Sequence, residues 1–221
     1  MKKYLFLLIP FIANANMHIM QKEFHLTKPI KSWIEFKNEN LTRQNYDYSC
    51  GSASLSTVMK YYYDQNISER EILDSVLEMK GFAKEDKKKL EDGDTALSFL
   101  DLSQYVKKLG FKALGLALDI DALKKLRAPV ILFVKIRKNE HFTIFRGIDG
   151  ENVYLSDPSF GNTKTKLSKF KEMFYQREDL KYPGKLLAIL PLKKVKVNKE
   201  FMKIKKSSTM IYDVIKFKNT R

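Results

Sequence analysis

The sequence has a single cysteine, Cys50, in 221 residues. One thiol cannot close an intrachain disulfide, and it excludes a zinc site of the cysteine-rich kind. A buried thiol, an intermolecular bridge and a reactive nucleophile remain. Long apolar runs are also missing. No segment reaches the roughly 20 apolar residues that a membrane-spanning helix needs. No internal repeat is visible, and the aromatics lack an RNA-binding pattern. Negative charge is in deficit: 26 Asp and Glu stand against 41 Lys and Arg, a formal net charge of +15. Such a balance favours acidic partners such as nucleic acid, anionic lipid or an acidic protein, and says nothing of fold. Core material is plentiful. Hydrophobic residues are 44% and aromatics 12%, which rules out global disorder.

The first fifteen residues have the three parts of a secretory signal. Lys2 and Lys3 supply the charge, Tyr4 to Ile12 the apolar run, and Ala13 and Ala15 the small residues before the cut. Residues 1–15 are expected to be a signal peptide. The mature chain is expected to be exported, to a periplasm or to the extracellular space. Export argues against nucleic acid as a partner. It also changes the meaning of Cys50, because an odd thiol in an oxidising compartment needs a reason.

Residues 16–39 read as an extended lead-in. A helix is expected from Tyr48 to Tyr63, with Ser49 as its N-cap and Ala53, Leu55, Val58, Met59 and Tyr62 at helical spacing. Ser68 and Glu71 have the capping-box spacing and start a second helix with Ile72, Leu73, Val76 and Leu77 on one face. Lys84 to Asp94 reads as a charged, solvated loop. A third helix spans about Leu97 to Leu109, with Gly110 as its stop. Strands are expected at Phe111–Leu118, Val130–Arg137, His141–Ile148, Val153–Ser156 and Leu186–Leu192, with short helices at about Ile120–Leu126 and Leu167–Phe174. Asp149-Gly150 is a tight hairpin signal. Helices first and strands after is the α+β order. Residues 193–221 hold ten Lys and Arg against Glu200 and Asp213. They read as a basic extension, either solvated or docking on an acidic partner or a membrane surface. The alternation at 201–205 is strand-like.

Three residue types then fit one chemistry. Cys50 lies at a helix start, where the partial positive charge of the helix favours a thiolate, the attacking form of a cysteine. Gly51 beside it leaves room for a substrate carbonyl. His141 opens a strand, a rigid mount for a general base. His18 and His25 lie in the lead-in without such a setting. Asp157 ends the next strand. If the two strands pair around Asp149-Gly150, His141 and Asp157 return to one end of the hairpin, where a carboxylate can fix the imidazole tautomer. Gln44, six residues before Cys50, offers a side-chain amide to a developing oxyanion, an interaction worth roughly 10²–10³ in rate.

The segments Gln44-Asn-Tyr-Asp-Tyr-Ser-Cys50-Gly-Ser-Ala-Ser-Leu, Asp101-Leu102, Gly110-Phe111, His141-Phe-Thr-Ile-Phe-Arg-Gly147 and Val153-Tyr-Leu-Ser-Asp157-Pro-Ser-Phe-Gly161 resemble the C39 cysteine peptidases, the bacteriocin-leader or double-glycine peptidases. The free-standing exported subgroup is the most similar. The resemblance implies a papain-like α+β fold, with N-terminal helices packed on an antiparallel sheet, over residues 40–192. It implies Cys50 as nucleophile, His141 as base and acid, Asp157 as orienting residue and Gln44 as oxyanion donor. The implied substrate is a peptide or protein, with cleavage after Gly-Gly or Gly-Ala, and no cofactor or metal is implied. The alternative is a non-catalytic module of the same fold that binds peptides or export substrates.

Overall fold

The computed structural model describes residues 16–21, 24–29, 32–82 and 97–204. The expected signal peptide and the charged loop Lys84–Asp94 lie outside the described residues. The chain forms two units, residues 1–37 and 38–221.

In the first unit the expected lead-in is extended, and its two stretches pair. Strands β1 (Asn16–Gln21) and β2 (Phe24–Pro29) form an antiparallel hairpin, with Asn16 opposite Pro29 and Gln21 opposite Phe24. A short helix α1 (Trp33–Lys37) follows. The Glu35 carboxylate accepts from the Ser32 backbone N–H at 2.6 Å, and the Ser32 hydroxyl accepts from the Glu35 N–H at 3.3 Å. These reciprocal bonds satisfy orphan donors at the helix start.

The second unit opens with three helices: α2 (Cys50–Tyr61), α3 (Glu69–Met79) and α4 (Phe99–Lys108). Ser68 accepts from the Glu71 N–H at the start of α3, and Ser98 forms a full capping box with Asp101 at the start of α4. Gly81 and Gly110 follow α3 and α4 at φ +84° and +78°, the left-handed turn that glycine enters without steric cost. The remaining elements are β3 (Phe111–Leu118), α5 (Ile120–Leu123), β4 (Val130–Ile136), β5 (Asn139–Asp149), β6 (Asn152–Asp157), β7 (Gly161–Lys166), α6 (Leu167–Phe174) and β8 (Gly184–Pro191).

Strands β3 to β8 make one antiparallel sheet in the order β3-β8-β4-β5-β6-β7. Alternation along its central strands sends side chains to two cores. Ile131 and Leu187 join Leu55, Met59, Ile72 and Leu102 of α2, α3 and α4. Leu132 and Leu186 join Leu123, Phe170 and Phe174 of α5 and α6. The architecture is therefore α+β, as its element order implies.

Two expectations give way to the structure. Strand β7 was not anticipated. Its only fully buried residue is Gly161, so it carries no apolar period to read. The stretch expected as a strand near 201–205 instead turns as a 3-10 helix over Lys199–Met202. Phe201 is fully buried in the core of α2 and α3, and Asn198 bonds the carbonyls of Tyr61 and Tyr62. Phe201 is thus packed into the core of the second unit, while residues 198–200 stay exposed. Burying the phenylalanine is favourable, and the neighbouring Lys199 and Lys203 stay exposed and hydrated.

Candidate active site

Residues 51–59 of helix α2 are buried, small hydroxyls included: Ser52, Ser54, Ser56 and Thr57. Each hydroxyl has a partner, as burial requires. The Ser54 hydroxyl donates to the Phe142 carbonyl at 3.4 Å. This bond sets α2 against β5 one turn past Cys50 and one residue past His141. Ser49 is the N-cap by position, yet its side chain caps no helix amide. Its hydroxyl instead bonds Tyr46 and Glu69. The first-turn amides of α2 therefore keep their positive end toward Cys50 without a side-chain cap.

The His141–Asp157 pair depends on a one-residue irregularity. The β5–β6 hairpin closes with Asp149 opposite Asn152 and keeps that register to Gly147 opposite Tyr154. Carried straight on, it would bring Asp157 opposite Ile144, on the other face from His141. A bulge between Phe145 and Gly147 shifts the pairing by one, so Phe145 faces Leu155 and Ile144 faces Ser156. Asp157 then falls one step beyond, diagonal to His141 and on its face.

The result is a tight contact. His141 Nε2 lies 3.0 Å from both carboxylate oxygens of Asp157. The carboxylate is almost fully buried and also accepts the backbone N–H groups of Ser159 at 2.9 Å and Phe160 at 3.0 Å. With Nε2 on the carboxylate, Nδ1 is the ring nitrogen left for the Cys50 thiol, which lines the same cleft. Burial works against the imidazolium. The hydrogen bond accepted by Asp157, the neighbouring Cys50 and the negative charge of both outweigh it and push the pKa of His141 up to about 9. Cys50 is the one free cysteine and is partly accessible.

Cys50 and His141 line a cleft of about 450 Å³. Its walls are Tyr48, Leu97, Phe99, Phe133 and Phe142, and Asp47, Glu140 and Lys185 supply its charges. Such a mixture suits an extended chain whose apolar side chains enter while its backbone meets polar edges. Gly51 has a different role from the one expected. It is buried, and a Cβ there would lie 3.1 Å from Phe142 Cδ2 and 3.3 Å from Leu97 Cβ. Its lack of a side chain admits Phe142, not a substrate carbonyl.

Gln44 is tied to the Asp157 loop. Its amide N–H donates to the Pro158 carbonyl at 3.2 Å, and its side-chain oxygen accepts from the Ser159 hydroxyl at 2.5 Å. One side-chain N–H goes to the Tyr46 carbonyl at 3.0 Å, which leaves the second N–H of the same nitrogen. Behind Asp157, the Ser156 hydroxyl accepts from Arg146 at 2.8 Å and donates to Asn162 at 2.6 Å. The Arg146 guanidinium lies 3.8 Å over the Phe201 ring, and burial lowers its pKa to about 10. Arg146 and Glu69 were not singled out from the sequence. Glu69 had a readable signal, since it occupies the apolar stripe 69, 72, 73, 76 of its helix.

No group of three His, Cys, Asp or Glu able to hold a metal occurs among the described residues, and no helix among them is long and apolar enough to cross a membrane.

A family model described as the Peptidase C39 family matches residues 38–177. A Pseudomonas aeruginosa protein named Probable functional amyloid protease FapD is 29% identical over 143 residues, 65% of this chain and 60% of that one. The chain thus spans about three-fifths of the length of that relative. An uncharacterized protein of Methanothermobacter thermautotrophicus is 28% identical over 137 residues, 62% of this chain and 84% of its own. The solved peptidase domain of Streptococcus ComA, a bi-functional ABC transporter, aligns with a TM-score of 0.51 at 21% identity, covering 68% of this chain and 97% of the domain. That likeness is one of fold, the papain-like α+β fold.

Proposed function

Because the chain belongs to the peptidase C39 family, we propose that it is a thiol peptidase in which Cys50, His141 and Asp157 act as a triad. The observation that carries this reading is the imidazole of His141 held by Asp157 at 3.0 Å through Nε2, with its other nitrogen left for the Cys50 thiol in the same cleft. The Cys50 thiolate attacks the scissile carbonyl carbon. The charge that develops on oxygen is met by the backbone N–H of Cys50, a first-turn amide without an intrahelical partner, and by the free N–H of Gln44. The His141 imidazolium gives its proton to the leaving amine, and a thioester remains on Cys50. Imidazole then takes a proton from water, the hydroxide displaces the thiolate, and the peptide acid leaves. Asp157 holds the ring in orientation and favours its charged form.

The substrate of this reading is an extended peptide segment with apolar side chains for the aromatic walls of the cleft. A screen begins with Gly-Gly leader peptides and with amyloid-forming subunits, since a relative carries the name of an amyloid protease. Residues 1–15 have the composition of an export signal, so the reaction is assigned to a compartment outside the cytoplasm. The test is cleavage by the purified chain and by Cys50→Ala. Cleavage by wild type alone supports the reading. A Cys50→Ala protein that still cleaves sinks it, and a wild type that binds the peptides without cutting them identifies a binding module.

A further inference from the structure

Glu69 is an acidic residue at the first position of α3, and it is 2% exposed. A buried carboxylate is costly unless donors surround it. Here three donors come from the segment that leads into Cys50. The Asn45 backbone N–H donates to Oε1 at 2.9 Å, the Asn45 side-chain amide donates to Oε2, and the Ser49 hydroxyl donates to Oε1. The Ser49 hydroxyl also accepts from the Tyr46 N–H at 3.1 Å, so the turn closes on itself around the carboxylate. Residue 44 is meanwhile tied to Pro158 and Ser159 beside Asp157. Consecutive residues 44 and 45 thus have separate anchors, one in the Asp157 loop and one in α3.

We infer that Glu69 is a positioning residue for the Cys50–His141 pair: its carboxylate fixes the 45–49 turn, and the turn fixes where Cys50 and Gln44 stand relative to His141 and Asp157. The role rests on the catalytic pairing proposed above. Charged acceptors hold hydrogen bonds about twice as strongly as neutral ones, which suits a loop that must keep one geometry. The first turn of α3 also favours a negative charge. Glutamine at this place keeps the volume but turns one acceptor into a donor that faces other donors.

The experiment uses the full chain, whose single cysteine makes labelling specific. Alkylation of Cys50 by iodoacetamide near neutral pH is timed in wild type, Glu69→Gln, His141→Ala and the double variant, with circular dichroism to check folding. Glu69→Gln is expected to slow alkylation roughly tenfold, and to change it less than about twofold in the His141→Ala background. A purely structural loosening moves both backgrounds alike. Wild-type reactivity in Glu69→Gln, or equal effects in the two backgrounds, overturns the role. If Glu69→Gln does not fold, Ser49→Ala removes one of the three bonds without touching the carboxylate, and the same cycle decides. Alkylation of wild type that is indifferent to His141→Ala overturns the catalytic pairing itself, and this role with it. A clear His141 dependence with an unresponsive Glu69→Gln overturns this role alone.

Discussion

Replacing Asp157 with asparagine tests the electrostatics of the site directly. His141 has an ordinary value of 6.5 and is pushed up to about 9. That gap corresponds to about 3 kcal/mol of preference for the charged ring, taken as an upper limit. Burial opposes the shift, and the hydrogen bond to the Asp157 carboxylate is the first influence that raises it, ahead of Cys50. Asp157→Asn removes both the charge and the carboxylate acceptor and leaves burial in place. The His141 midpoint is expected to fall by about one pH unit or more. Cys50→Ala should lower it too, by less. With three histidines in the sequence, the Cε1 proton of His141 can be followed by NMR and assigned against His141→Ala. The consequence for stability has a definite sign. A folded-state pKa above the unfolded one stabilises the fold fully below about 6.5, and the gain is lost as pH rises through about 9. Urea midpoints of the wild type should therefore decline across that window more than those of Asp157→Asn. A wild-type midpoint near 6.5, or an Asp157→Asn midpoint still near 9, would refute the reasoning.

Other expectations concern packing and chemistry. Cys50→Ala should abolish peptide cleavage while thermal unfolding stays within a few degrees of wild type, because a partly accessible thiol contributes little packing. Gly51→Ala should cost about 1–3 kcal/mol in urea unfolding, since the new methyl presses on Phe142 and Leu97. It should also slow cleavage, because Phe142, whose carbonyl makes the contact with α2, is the residue next to His141. An unchanged urea midpoint would contradict the close approach. Phe201→Ala should destabilise the second unit by about 3–5 kcal/mol, as for other fully buried aromatics. A loss under about 1 kcal/mol would mean that the C-terminal segment detaches freely.

Much of the site could be read early because its parts stand at element boundaries. Cys50 follows a polar turn at a helix start, and Asp157 ends β6 before a proline; His141, expected to open its strand, is the third residue of β5, because Asn139 and Glu140 already pair with β4. Boundaries are written locally, in caps, glycines and the change of period. Phe111–Leu118 and Leu167–Phe174 were legible for the same reason and occur with those bounds. Strand β7 and the β1–β2 hairpin were not, because the first is a polar edge strand and the pairing of the second lies between residues rather than in any one of them.

The α+β class, most of the helices and strands from Cys50 onward, the single thiol and the residue types that chemistry could use are written in the chain itself. Period, capping and composition act over a few residues, so a one-dimensional reading reaches them. Only the tertiary structure decided that His141 and Asp157 share a face. A one-residue bulge at Arg146 reverses the parity of half a hairpin, and nothing in the alternation of β5 announces it. Only the fold gave Gly51 to Phe142, buried Phe201 beneath a run of lysines, and closed the turn before Cys50 around Glu69. Each of these is a contact between segments distant in the chain, and its energy depends on which surfaces meet rather than on which residues adjoin.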